Sequence, residues 1–185
     1  MPAVWGAKKA AAAAAAALPL PSPAALGALL LQALRALQPQ KALRCLPQAD
    51  LAVREDGTGH VALTLACQLG MNDVAEALLR LGADVNAADA DGVTALMWAC
   101  SSGLAVYATL LQRGASVHAV SKSGDTPLLR ACSVQMDQVA LELLHRGASA
   151  TAADKQGVTA LKLCCGRHAD TMAAVALELR KRGAV

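Results

Sequence analysis

Residues 89–119, DADGVTALMWACSSGLAVYATLLQRGASVHA, decide the fold, because the same order of residue types stands before and after them. Gly59, Gly92, Gly124 and Gly157 share one slot, at spacings of 33, 32 and 33 residues. Leu63, Leu96, Leu128 and Leu161 follow four residues after these glycines, and a small residue (Ala66, Ala99, Ala131, Cys164) comes three residues later. The leucine pairs Leu78-Leu79, Leu110-Leu111 and Leu143-Leu144 close the second half of each unit. Gly82-Ala83, Gly114-Ala115 and Gly147-Ala148 come next. Self-similarity at this period marks a stacked array of short units, none of which buries its apolar face alone.

These residues resemble the ankyrin repeat, whose signature T-P-L-H-x-A opens the first helix of each unit. Thr126-Pro127-Leu128 with Ala131 matches all but the histidine, and Thr94-Ala95-Leu96 and Thr159-Ala160-Leu161 match less fully. Gly82 to Ala87, GADVNA, is the family's closing phrase almost unaltered. The resemblance covers residues 56–184. It implies an all-α solenoid of helix-turn-helix units with β-hairpin-like fingers, in four repeats at 56–88, 89–120, 121–153 and 154–185. Residues 24–55, with apolar positions at Leu26, Leu29, Leu30, Leu34 and Leu37, read as a degenerate helical N-terminal cap, because solenoid ends need atypical shielding units. The expected helices there are 24–38, ended by Pro39, and 41–46.

Departures from the family pattern carry expectations too. Val61 replaces the usual threonine and should leave the first helix of repeat one without a hydroxyl cap. The signature histidine slot holds Thr64, Met97, Leu129 and Lys162, so the ties between helix and loop should be missing and the array held mostly by apolar contact. ALELLHRGA (140–148) against ALELRKRGA (176–184) puts Arg180 where Leu144 stands, which suits a terminal, solvent-facing unit.

Composition narrows the function classes. Apolar residues make up 55% of the 185, yet aromatics are only 2%, which suits thin, closely packed helices. Residues 1–49 carry Lys8, Lys9, Arg35, Lys41 and Arg44 and no acid. Residues 50–185 carry 12 basic and 14 acidic residues, so the repeat body is near neutral, unlike a nucleic-acid groove. Residues 1–23, rich in alanine and proline, read as a disordered tail. Three alternatives stay open there: a signal peptide behind Lys8-Lys9, an organellar transit segment, and a membrane span that Pro19, Pro21 and Pro23 disfavour.

Cys67, Cys100, Cys132 and Cys165 recur in one slot that calls for a small buried residue, which cysteine satisfies. Stacked helices lie roughly 8–10 Å apart while a disulfide needs Cα atoms within about 7 Å, so the set reads as a reduced core ladder. Cys164, Cys165 and His168 lack the four-ligand spacing of structural zinc. Gly57 to Ala62, GTGHVA, imitates a dinucleotide fingerprint but lacks a preceding buried strand and reads as a repeat turn. No nucleophile–base pairing emerges, so neither enzyme activity nor a cofactor or metal is expected.

By resemblance, ankyrin arrays bind proteins through their fingers and the groove lined by the first helices. Transferred position by position, the finger residues are Thr58, His60, Asp91, Val93, Lys122, Asp125 and Lys155. The groove residues are Gln68, Leu69, Ser101, Ser102, Ser133, Val134 and Arg167. The surface changes sign from Asp91 to the lysines of repeats three and four. The expected function is an adaptor or scaffold for a protein partner in the cytoplasm or nucleus; the alternative is a subunit of a larger, possibly organellar, assembly. Trp98 on a first helix and Tyr107 on a second are read as core or as interface anchors. The resemblance also implies that Asn86, the one asparagine of the closing phrases, is a substrate for hydroxylation.

Overall fold

A computed structural model describes residues 22–53, 61–103, 105–165 and 172–184. The expectations for residues 1–21, for the turn at 57–60 and for the insertion near His168 lie outside these residues.

Helices follow one another in antiparallel pairs. α1 (Pro23–Arg35) and α2 (Pro39–Cys45) come first, with a single 3-10 turn (Leu46–Gln48) after them. Then follow α3 (Ala62–Gln68) with α4 (Asn72–Arg80), and α5 (Ala95–Ser102) with α6 (Val106–Gln112). α7 (Pro127–Ser133) pairs with α8 (Asp137–His145), and α9 (Ala160–Cys164) with α10 (Ala173–Lys181). The first helices α1, α3, α5, α7 and α9 stack in one layer, and the second helices stack in another. The architecture is an all-α solenoid.

Residue chemistry explains these boundaries. Ser22 accepts from the Ala25 amide at 3.2 Å and starts α1, with Pro23 at the first helical position. α1 ends at Arg35, earlier than the expected Gln38, because Leu37 turns left-handed (φ 53°). Pro39 then opens α2 instead of merely ending α1. Thr94, Thr126 and Thr159 cap their helices by accepting from the amides of Met97, Leu129 and Lys162. Val61 provides no such cap. Instead the buried Thr64 hydroxyl accepts from the Val61 amide (3.1 Å) and donates to the Val61 carbonyl (2.9 Å), so a hydroxyl on the next turn ties down that entry.

The core is a continuous stripe between the two layers. Leu63, Leu78, Leu96, Leu110, Leu128 and Leu143 are at most 1% exposed, and Ala66, Ala99 and Ala131 between them are fully buried. Alanine there lets neighbouring first helices approach closely, which a larger side chain would prevent. Cys67, Cys100 and Cys132 are buried as the slot requires, and all six cysteines are free thiols. Cys165 departs from that pattern. α9 ends at Cys164, so Cys164 is buried and Cys165 lies exposed in the cap.

The histidine ties are absent, but the array is not left mostly to apolar contact as expected: polar ties between repeats exist, and they come from different residues. Arg113 donates to the Leu79 carbonyl, Arg146 to Leu111 and Arg182 to Leu144, each reaching one helix pair back. Every target is the second-last carbonyl of the preceding second helix; it already accepts from the amide of the following glycine, and its second lone pair lies at the negative end of the helix dipole, which favours a cation. Glu142 and Glu178, one turn earlier, hold Arg146 and Arg182 in place through Nε at 2.6 and 2.8 Å. The Arg182 guanidinium, chiefly through that hydrogen bond, keeps the Glu178 carboxyl below its ordinary range. This contact is therefore complete above the usual carboxylate range and is lost as pH falls through the lowered value. In repeat one the arginine slot holds Leu81, which is 50% exposed. The following glycines (Gly82, Gly114, Gly147) are left-handed, at φ 84–88°, so that the next alanine amide reaches back to close the helix end. Asn86 adds a tie from repeat one to repeat two: its Oδ1 accepts from the Ser116 amide (2.8 Å) and its Nδ2 donates to the Gly114 carbonyl.

Two measurements test this picture. Arg146→Ala should lower unfolding free energy by roughly 1–2 kcal/mol in urea titration, a charged hydrogen bond discounted for partial exposure; an unchanged midpoint would show the arginine ladder to be ornamental. Burial raises the Cys67 and Cys100 thiols to about 12. At pH 8 roughly one part in ten thousand is then thiolate. Iodoacetamide should label Cys165 in the native protein and reach Cys67 and Cys100 only after denaturation, a pattern read by peptide mass spectrometry.

Candidate binding surface

Three finger turns project from the repeats among the described residues, of which two are closed by an aspartate. Asp89 Oδ1 accepts from the amides of Asp91 (2.9 Å) and Val93 (2.8 Å), and Asp154 Oδ1 does the same for Gln156 and Val158. In repeat three Ser121 takes this position, and its hydroxyl accepts from the Asp125 amide at 3.1 Å. These fingers are turns with isolated bridges, Ala88 to Thr94 and Ala153 to Thr159, and no strand is formed among the described residues. The fingers also bind one another: the Lys122 amide donates to the Asp91 carbonyl (2.7 Å) and the Lys155 amide to the Ser123 carbonyl (3.0 Å). The approach is close enough that a Cβ on Gly124 would meet the Lys155 amide nitrogen at 2.8 Å. Fixed spacing of the tips follows from these contacts.

The sequence-derived binding residues separate into four groups. Asp91, Lys122 and Lys155 stand exposed at the finger tips, and Gln68, Ser102, Ser133 and Val134 are exposed along the first-helix side. Val134, 42% exposed, is the apolar member of that row. Leu69, Ser101 and Asp125 are only half-buried. Val93 does not belong to the surface. It is 6% exposed, because it stands just before the Thr94 cap and its amide is turned inward to Asp89. Thr58, His60 and Arg167 lie outside the described residues.

Trp98, on α5, lies at the edge of the core, half-buried, with the Arg130 guanidinium of α7 5.6 Å from its ring centroid. Sequence alone left it between core and anchor, and it occupies the boundary. Arg130 in turn donates to Asp125 Oδ2 at 3.0 Å, and the Ser123 hydroxyl donates to the same oxygen at 2.8 Å. A chain of contacts therefore runs from the finger of repeat three to a tryptophan in repeat two, and no single repeat's sequence signals it. An open cavity of ≈ 560 Å³ lies beside it, walled by Gln68, Asp91, Trp98, Lys122, Ser123 and Arg130. Tyr107 is half-buried on α6 against the core. Among the described residues no three His, Cys, Asp or Glu side chains gather in a way that could hold a metal ion. No described helix is long and apolar enough to cross a membrane.

The Cys132 and Cys164 thiols face each other across the α7–α9 contact. The neighbouring Cys164 thiol, with burial added, pushes the Cys132 thiol up from its ordinary value, which leaves it unsuited to act as a nucleophile.

The family model for ankyrin repeats, in three copies, matches residues 30–121. That span starts within α1 and ends after the finger-side turn of repeat two, and the helix pairs α7–α8 and α9–α10 continue the same stack beyond it. The recurring helix pairs, the capped first helices and this match agree, and the chain belongs to the ankyrin-repeat family.

Proposed function

We propose that the chain is a non-catalytic adaptor or scaffold that recognises a protein partner through its fingers and first-helix face. Ankyrin repeats are generally protein–protein interaction modules. The observation that carries the reading is the exposed row Gln68, Ser102, Ser133 and Val134, flanked by tips that run from Asp91 to Lys122 and Lys155. The hydrogen bonds between fingers hold these groups at fixed spacing, so little ordering is lost on association. Mixed charge with an isolated apolar point suits a protein surface. We place the chain in the cytoplasm or nucleus, a reading supported by six free thiols, four of them buried. A second reading, a subunit of a larger assembly, is favoured by the absence of any acid in residues 1–49.

Crosslinking and capture with the tagged full-length protein, together with sequencing of its N-terminus, test both. The adaptor reading expects one dominant partner, at least tenfold poorer capture by the Lys122→Glu/Lys155→Glu variant, and an unchanged melting curve for that variant. Capture indifferent to both reversals and to Val134→Asp would refute this surface. A trimmed N-terminus with many subunits of one complex would favour the assembly instead.

A further inference from the structure

Two residues that wall the cavity beside α5, Trp98 and Arg130, have hydrogen-bonding capacity of one kind left over. Trp98 Nε1 and Arg130 Nε are both buried N–H donors, and neither meets an acceptor among the described residues. A buried donor left unpaired costs about 1–3 kcal/mol, which an incoming acceptor relieves. Lys122, exposed on the cavity wall, makes no ion pair among the described residues. Of the carboxylates nearby, Asp89 already serves two backbone amides and Asp125 serves Ser123 and Arg130. Because Arg130 holds Asp125 through Nη2 and lies over the indole, its guanidinium plane is oriented, with the Nε edge still unpaired. Asp91, at the exposed tip, is the remaining carboxylate among the described residues of the wall.

Resting on the protein-recognition reading above, we propose that this cavity receives an acidic side chain, aspartate or glutamate, from an extended segment of the partner protein. Its carboxylate accepts from the Trp98 indole N–H, the Arg130 Nε–H and the Lys122 ammonium, while its aliphatic stem lies along the tryptophan edge. A basic side chain would be drawn to Asp91 but would bring further donors to a cavity already short of acceptors. Asp91 acts on affinity with the opposite sign to Lys122, because it repels the ligand.

Hexaglutamate is the probe, titrated into the full-length Trp5→Phe protein so that Trp98 is the sole indole reporter. A saturable change in emission is expected, weakened at least tenfold by Lys122→Gln or by 0.5 M salt. Asp91→Asn should tighten it several-fold, and Lys8→Gln/Lys9→Gln should leave it unchanged, which excludes capture by the basic N-terminal stretch. Saturation by hexalysine instead would overturn the proposal, as would equal binding of a thymidine hexanucleotide, which would make the site a phosphate site. Silence of all three probes would also overturn it. If the probes fail while Lys122→Glu/Lys155→Glu still abolishes partner capture, the acidic-side-chain proposal falls and the protein-recognition reading stands.

Discussion

A pair of antiparallel seven- to nine-residue helices presents its leucines on one side only, and in this chain that side is covered by the next pair. Leu63, Leu96 and Leu128 on the first helices and Leu78, Leu110 and Leu143 on the second are buried only because the pairs stack. Helices this short have little stability of their own, since nucleation is unfavourable and few bonds repay it. Everything else in the molecule depends on that stacking. The alanines at 66, 99 and 131 set how closely it proceeds, and the left-handed glycines let each pair end and the next begin at the same offset.

Stacking creates a second requirement, since each second helix ends with carbonyls facing its neighbour. The cap arginines Arg113, Arg146 and Arg182 meet that requirement with a charge placed against the negative end of a helix. The signature histidines are missing, but cross-repeat polar ties are present. They have moved to the cap arginines, to Asn86 and to the finger backbone. Apart from Arg130 over Trp98, this arrangement leaves the described first-helix side without cross-repeat side-chain ties, and Gln68, Ser102, Ser133 and Val134 face outward. The proposed recognition surface is thus a by-product of where the solenoid places its polar ties.

Much of this was legible from residues alone. The repeat period, the helix pairs from α3 onward and the buried cysteine slot follow from local patterns that recur four times. Two positions show where the pattern misleads. Val93 was read as a surface residue because its slot lies in a finger, yet its neighbour Thr94 turns the chain inward there. Cys165 was read as buried by register, yet α9 stops one residue too soon. Both errors come from carrying a slot's average environment to a position whose backbone ends differently.

By itself the sequence determined the architecture, because small residues, leucine pairs and glycines at a 32- or 33-residue spacing permit only stacking as a way to bury their apolar atoms. Only the tertiary structure decided which carbonyl each arginine reaches, why Trp98 stops at the core's edge, and that Trp98 and Arg130, both with an unpaired buried donor, wall the same cavity. The reason is distance along the chain. These partners stand 32 to 38 residues apart, and their meeting is fixed by the offset between helix pairs, which no local pattern records.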